Sequence, residues 1–309
     1  MRYVFIINPK AGSENYLGKI KDIIENYFKE NEAEYKIVET EYKGHAEDIT
    51  RNETDIGDEV RIYGFGGDGT LLELARGAAN KANAEIGIFP VGSGNDYVKC
   101  YGDREAFMSF ENQMNGESIY VDGVNTENGV ALNICSMGLD AKVAYNMVNF
   151  KNLPFVSGPL AYDLSVAKCL MGKIGEDLKI TVKTVNGDIN MEGTYLFALA
   201  ASGMYYGGGY KGAPYAVTND GLLDIVLIKK PPLYKIPKLI GIYKSGKHPE
   251  NEYIKEYLTY IKGYEMEIES QKPAVCNYDG ECDIKTNEKF SIAKNMIRFI
   301  LPKGVSYNP

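Results

Sequence analysis

Gly64-Phe65-Gly66-Gly67-Asp68-Gly69-Thr70 follows directly on the apolar run Val60 to Tyr63 and leads into Leu71-Leu72-Glu73-Leu74-Ala75. Four glycines let backbone N–H groups approach an anion with no Cβ in the way, and the start of the next helix adds positive partial charge. A carboxylate such as Asp68 inside the loop would repel bare phosphate, so the combination points to a nucleotide carrying Mg²⁺. A second apolar run, Ile86-Gly87-Ile88-Phe89-Pro90-Val91, passes into Gly92-Ser93-Gly94-Asn95-Asp96. Two such loops at the ends of successive strands lie side by side on one edge of a parallel sheet, where open α/β sheets bind ligands. Gly, Asn, Ser and Asp also favour plain turns, but turns alone need fewer glycines.

Other residues offer related chemistry. Asn8-Pro9-Lys10-Ala11-Gly12-Ser13 ends the first apolar run and precedes a helix. It is either a third anion-binding loop, with backbone donors, Lys10 and Ser13, or an ordinary turn capped by Ser13. Thr40 would fall on the same edge, although a β-branched residue filling a strand is the simpler reading. Asn277-Tyr278-Asp279-Gly280-Glu281 has the Asp-Gly pair of a tight hairpin. Placed beside a substrate, one of its carboxylates could take the proton of an acceptor hydroxyl. In Val217-Thr218-Asn219-Asp220-Gly221-Leu222 a hard cation could sit on Asp220 and backbone carbonyls, although most such turns hold none.

These loops need a scaffold, and the hydrophobic pattern supplies one. Tyr3 to Ile7, Tyr35 to Thr40, Val60 to Tyr63 and Ile86 to Val91 read as strands. They alternate with helical spacing at Leu17, Ile20, Ile23, Ile24, Tyr27 and Phe28, at His45 to Arg51 and at Leu71 to Asn83. Alternation of this kind predicts a helix-covered parallel sheet through about Asp122. Beyond it, Gly129 to Gly138, Lys179 to Thr184, Gly193 to Ala201, Leu223 to Ile228, Tyr264 to Ser270 and Phe290 to Ile300 are strand-like and separated by turn signals. They predict a mostly antiparallel second domain, with helical insertions at Gly158 to Gly172 and Leu233 to Tyr260.

A chain of 309 residues is long for one core, so two domains are expected. A net charge of −8 and the lack of an Arg-rich run argue against nucleic-acid binding. No apolar stretch approaches a membrane span, so a cytoplasmic protein is expected. Five cysteines without a CxxC pair fit reduced thiols. With only two histidines, acid–base work falls to carboxylates. Between Lys229 and Lys262 eight lysines face three glutamates. That balance suits either an anionic membrane surface or a solvated amphipathic helix.

Taken in order, Asn8-Pro9-Lys10-Ala11-Gly12, Gly66-Gly67-Asp68-Gly69-Thr70, Gly92-Ser93-Gly94-Asn95-Asp96 and Asp279-Gly280-Glu281 resemble the catalytic domain of diacylglycerol kinases, and most closely its bacterial lipid kinases. Sphingosine kinases and, more distantly, NAD kinases share the superfamily. The resemblance implies an N-terminal parallel-sheet three-layer α/β domain, placed at 1–124, and a C-terminal mostly antiparallel β-sandwich, placed at 125–309, with room for the last residues to pack back on the first domain. It implies ATP with Mg²⁺ in the cleft between them, touching Asn8 to Gly12, Thr40, Gly66 to Leu72 (Leu71 included) and Ser93, with Asn95 and Asp96 in the same loop. It further implies a general base from Asp279 or Glu281, charge neutralisation at Asp68, a supporting role for Asp122, and a structural cation on the carbonyls of Val217 and Leu222 and the side chain of Asp220. The expected reaction phosphorylates a hydroxyl of diacylglycerol or a related lipid, with transient contact to a membrane surface and room for a homodimer. A soluble acceptor such as NAD, or a silent nucleotide-binding regulator, stays open. Two departures stand out: Ser93 where the family usually has Thr, and Ala11 where it usually has Ser.

Overall fold

The computed structural model describes residues 1–12, 14–151 and 158–307. The chain divides into two compact units, Met1–Val121 with Asn295–Pro309, and Asp122–Lys294. The first unit begins β1 (Arg2–Ile7), α1 (Glu14–Glu30), β2 (Tyr35–Glu39), α2 (His45–Asp55), β3 (Val60–Gly66), α3 (Asp68–Ala78) and β4 (Ala84–Pro90). Two short helices, α4 (Arg104–Met108) and α5 (Phe110–Met114), then lead into β5 (Glu117–Thr126).

In the first unit's sheet β2 runs parallel to β1, β1 to β3 and β3 to β4. Val4 to Ile7 and all of β4 are buried, as expected of strands covered by helices on both faces. One face carries an aromatic core in which Phe65 stacks on Phe89 with centroids 4.3 Å apart, and Phe5 stacks on Tyr63 at 5.6 Å. Gly87 makes room for Tyr63, whose ring carbon lies 2.5 Å from the place a Cβ would take. α3 is held to α2 by Glu73, which accepts the amides of Gly44 and Ala46 at 2.9 and 3.1 Å. These contacts fix the angle at which α3 leaves the sheet edge.

The second unit continues with β6 (Gly129–Ala131), β7 (Ile134–Gly138), α6 (Leu139–Lys151), α7 (Gly158–Leu170), β8 (Glu176–Thr184), β9 (Gly187–Ala201) and β10 (Leu223–Lys229). It ends with α8 (Ile236–Lys244), β11 (Leu258–Gly263), β12 (Glu265–Tyr278) and β13 (Glu281–Leu301). Its ladders are antiparallel. β7 and β8 lie end to end between β9 and β12: Met137 pairs with Ala198 and Cys276, while Ile180 pairs with Met191 and Ile268. One side of these strands buries Met137, Val182, Tyr195, Leu227, Met266 and Phe290. The other buries Leu196, Leu199 and Val226 with Leu239 and Tyr243 of α8. The expected α/β-plus-β-sandwich class is the one observed. β13 runs on into the first unit, where Arg298 pairs with Glu85 in parallel beside β4. Asn295, at φ +51°, marks the crossing. The sequence expectation placed the second domain at 125–309 with room for its last residues to pack back on the first; residues 295–309 group with the first unit.

Three local expectations are corrected. The run Gly129 to Gly138 is two strands, broken at Leu132-Asn133, where Asp279 captures backbone amides described below. Between Leu233 and Tyr260 the α-helix is confined to α8, because Gly246 turns the chain at φ +72° and Pro249 holds a 3₁₀ turn. α6, which the sequence reading did not anticipate, follows β7 directly.

Candidate active site

In the first unit the three glycine-bearing loops interlock. Asn8 donates its backbone N–H to Phe65 O at 3.0 Å and its side-chain amide to Thr70 Oγ1 at 3.3 Å. Its own Oδ1 accepts the Lys10 amide at 3.0 Å, turning the loop back on itself. Thr40 lies beside this loop, bonded through its amide to Ile7 O at 2.9 Å. The second and third loops meet backbone to backbone: Gly92 donates to Gly66 O at 3.1 Å, and a Cβ on Gly92 would stand 2.5 Å from Gly67 Cα. Glycine at 92 is therefore required by packing against the neighbouring loop.

Asp68 links the same loops. Its Oδ1 accepts the amides of Asp96 and Tyr97 at 2.6 and 3.2 Å, and Oδ2 faces Gly94, 2.7 Å from where a Cβ would be. Asp68 is also the first residue of α3, where negative charge complements the helix dipole. Asn95 holds αL geometry at φ +51° and donates to Pro90 O and Gly92 O at 3.0 and 2.6 Å. Its Oδ1 is buried without a partner among the described residues, so the loop carries an acceptor with nothing yet to receive. Asp96 is only 5% exposed and pairs with Lys99 at 2.5 Å.

Pro9, Lys10, Gly12, Gly69 and Ser93 are at least partly exposed, so their groups can reach a ligand. Thr70, Leu71 and Leu72 are buried, and the Leu71 amide already bonds Gly67 O at 3.0 Å. What the start of α3 can offer an anion is therefore the first turn's N–H groups ahead of Leu71. Ser13 lies outside the described residues.

In the second unit, Asp279 and Gly280 form the tip of the β12–β13 hairpin at φ +52° and +95°. Both central residues in left-handed geometry make a turn whose twist matches the strands. The Asp279 carboxylate receives Leu132 N at 2.5 Å, Asn133 N at 3.0 Å and Ile134 N at 2.7 Å, and the Asp279 amide returns a bond to Ile134 O at 3.1 Å. Three convergent amides are a built anion site, filled by the chain's own side chain. Glu281 follows, paired in register with Tyr278.

Near this hairpin the sequence reading missed a polar cluster. Asp140, 6% exposed at the start of α6, accepts from Tyr206 OH at 3.4 Å, and Tyr206 and Tyr243 share a hydroxyl contact at 3.1 Å. Burial, opposed by hydrogen bonds from Ser136, backbone amides and Tyr206, pushes the Asp140 carboxyl up to about 6. Burial likewise, with Asp140 and Glu281 adding repulsion, pushes the Cys282 thiol up to about 12. In sequence, nothing marks Asp140 as a buried carboxyl; Tyr206, which bonds it, stands 66 residues further along the chain.

The turn expected to hold a structural cation shows a different arrangement. Asp220 Oδ1 accepts the Leu222 amide at 3.0 Å, and Oδ2 faces Lys262 Nζ at 2.8 Å. Val217 is half-buried in the same turn. Asp122 fastens it from behind, its carboxylate accepting Gly221 N at 2.7 Å and its amide donating to Thr218 O at 2.7 Å. An ammonium thus stands against the one carboxylate of this turn, whose oxygen a divalent ion would need as a ligand.

The comparisons with known proteins follow the same division. Residues 2–125 match the model of the diacylglycerol kinase catalytic domain, and residues 133–301 match that of the YegS C-terminal NAD kinase beta sandwich-like domain. The chain is 25% identical to a diacylglycerol kinase of Bacillus subtilis over 96% of this chain and 95% of that protein. It is 27% identical to a protein of Shewanella frigidimarina named "Probable lipid kinase YegS-like", over 80% and 78%. A crystal structure of a diacylglycerol kinase from Bacillus anthracis superposes with a TM-score of 0.70 at 18% identity, covering 99% of this chain and 98% of the other, a likeness of fold. No helix among the described residues is long and apolar enough to cross a membrane. With both models matched in order, the chain belongs to the diacylglycerol kinase catalytic-domain family, in the bacterial lipid-kinase type that carries a YegS-type C-terminal domain.

Proposed function

We propose that this chain transfers the terminal phosphoryl group of ATP, bound with Mg²⁺, to a hydroxyl of diacylglycerol or a related lipid. The observation that carries the reading is the interlocked set of loops 8–12, 66–70 and 92–96. Backbone amides of these loops and of the first turn of α3 would hold the phosphates, with Lys10 and Ser93 at their exposed edge. Asp68 is the carboxylate that would meet Mg²⁺, which when bound screens the charge of the transferring group. Asp279 or Glu281 takes the acceptor's proton; the freed oxygen bonds to the terminal phosphorus, the bond to the bridging oxygen breaks, and ADP leaves.

The lipid would be met at a surface. Leu233 and Tyr234 are 62% and 78% exposed, and Lys229, Lys230 and Lys238 are exposed close by in sequence. Apolar side chains flanked by lysines suit the headgroup layer of an anionic bilayer. Co-sedimentation with anionic vesicles should fall as salt rises and fall again in Leu233→Ser/Tyr234→Ser; binding indifferent to both would remove the surface from the proposal.

The reaction is tested with labelled ATP and Mg²⁺ against diacylglycerol in mixed micelles, a total lipid extract, and NAD in parallel. Label in an extracted lipid is expected, with Asp68→Asn lowering the rate at least about a hundredfold, as loss of a preorganised electrostatic group does. Label in NAD alone would replace the lipid with a soluble acceptor. Full activity in Asp68→Asn would end that residue's assigned role.

A further inference from the structure

The turn at residues 217–222 carries its own cation. Lys262 on β11 lies opposite Asp224 on β10 in the antiparallel register, and its ammonium reaches Asp224 Oδ2 at 3.0 Å as well as Asp220 Oδ2 at 2.8 Å. Asp224 is 1% exposed, and its other oxygen accepts from Tyr260 OH at 2.7 Å. A second lysine adds to the field: Lys294 Nζ lies 3.2 Å from where a Cβ on Gly221 would be.

A hard divalent ion needs six or more oxygens at 2.0–2.6 Å, roughly. Here Asp220 already receives an ammonium and the Leu222 amide, while the carboxylates beside the turn are engaged too, Asp122 by the Gly221 amide and Asp224 by a tyrosine hydroxyl. A metal entering among them would sit within a few ångströms of two lysine charges, in surroundings where one carboxylate is fully shielded from water and like charges repel strongly.

We propose that Lys262 serves as the built-in cation of this turn, bridging Asp220 and Asp224 in the place of a divalent ion, so that the second unit keeps its form with no metal bound there. The ammonium bridges the two carboxylates as a structural ion would, offsetting one of their two negative charges and tying the turn to β11. The assignment is independent of which acceptor the chain phosphorylates.

The test uses the full chain, freed of nucleotide and treated with chelator, and Mg²⁺ alone as the probe. The readout is the change in melting temperature on adding millimolar Mg²⁺, compared between wild type and Asp220→Asn. The two changes should be equal, because no ion resides on Asp220. A rise in wild type that Asp220→Asn abolishes would overturn the assignment. Lys262→Met should melt several degrees lower in chelator and regain part of that loss with Mg²⁺, since vacating the ammonium leaves two carboxylates to recruit a metal. Lys262→Arg, which keeps the charge, should behave as wild type. A Lys262→Met protein as stable as wild type in chelator would also overturn the proposal. If Lys262→Met does not fold, the comparison of wild type with Asp220→Asn decides alone.

Discussion

Asp140 shows how one residue's surroundings set its behaviour. Its carboxyl titrates at 3.8 in the open chain and at about 6 when folded, because burial disfavours the charged form. At pH below 3.8 it is protonated in both states. Between that value and about 6 the unfolded chain ionises first, so this group's contribution to stability falls as pH rises through the window, and stays low above it. Asp140→Asn is neutral throughout. Relative to wild type it should gain roughly 3 kcal/mol between about pH 3.5 and about pH 7, since each pH unit separating the two titrations is worth about 1.36 kcal/mol. Denaturant unfolding of both proteins at the two pH values checks this; a difference that is flat with pH would show that burial does not set the group's charge. Acid brings an opposing contribution from His248, whose imidazole burial pushes down to about 4, so the comparison must be made between variants and not from wild type alone.

At the scale of elements, the glycines of the loops separate packing from ligand space. Gly92→Ala would drive a methyl into Gly67, an overpacking that costs about 1–3 kcal/mol. It should lower both the melting temperature and ATP affinity. Gly69, in the first turn of α3, has nothing within 4 Å of its Cβ position. Gly69→Ala should hold or raise the melting temperature, since Ala favours a helix by about 0.5–1 kcal/mol, yet still weaken ATP binding by filling the space proposed for phosphate. Calorimetric ATP binding equal to wild type in Gly69→Ala would place the phosphates away from α3. These loops were legible in the sequence because each is a local run of Gly and polar residues after an apolar one. The break between β6 and β7 was not, because it is made by Asp279, more than a hundred residues away. The lysine of the 217–222 turn was hidden for a similar reason: Asp224 and Lys262 meet only through the register of β10 and β11.

For the whole molecule, the alternation of strands and helices followed by strands and turns disclosed both architectures, each pattern being local. The path of the chain through them was harder to read. β13 is a single strand of 21 residues that begins in the second unit and ends beside β4 in the first, and no change of composition marks Asn295. In the first unit it brings Arg298 to Glu85, a buried carboxylate that also accepts Arg61 Nε at 2.6 Å and Ser118 Oγ at 2.8 Å. Ending the chain after Lys294 would strip β4 of that strand and Glu85 of one of its two arginines. Leaving a buried charge short of a partner costs several kcal/mol, about 3–5 where the pair is fully broken. Hydrogen exchange should then show the first unit's amides unprotected and those of β9 and β10 still slow; uniform protection of both units would show that the last strand is dispensable.

The same path has a consequence for synthesis on the ribosome. Domains generally fold as units in the order they emerge. Here the first unit emerges first but lacks its final strand until residues 295–301 leave the exit tunnel, whereas the second unit has all of Asp122–Lys294 before that. The nascent chain therefore completes its later-starting unit first, and during that interval β4 is an open strand edge carrying a half-neutralised Glu85. It is β13, not the strands made before it, that closes this edge.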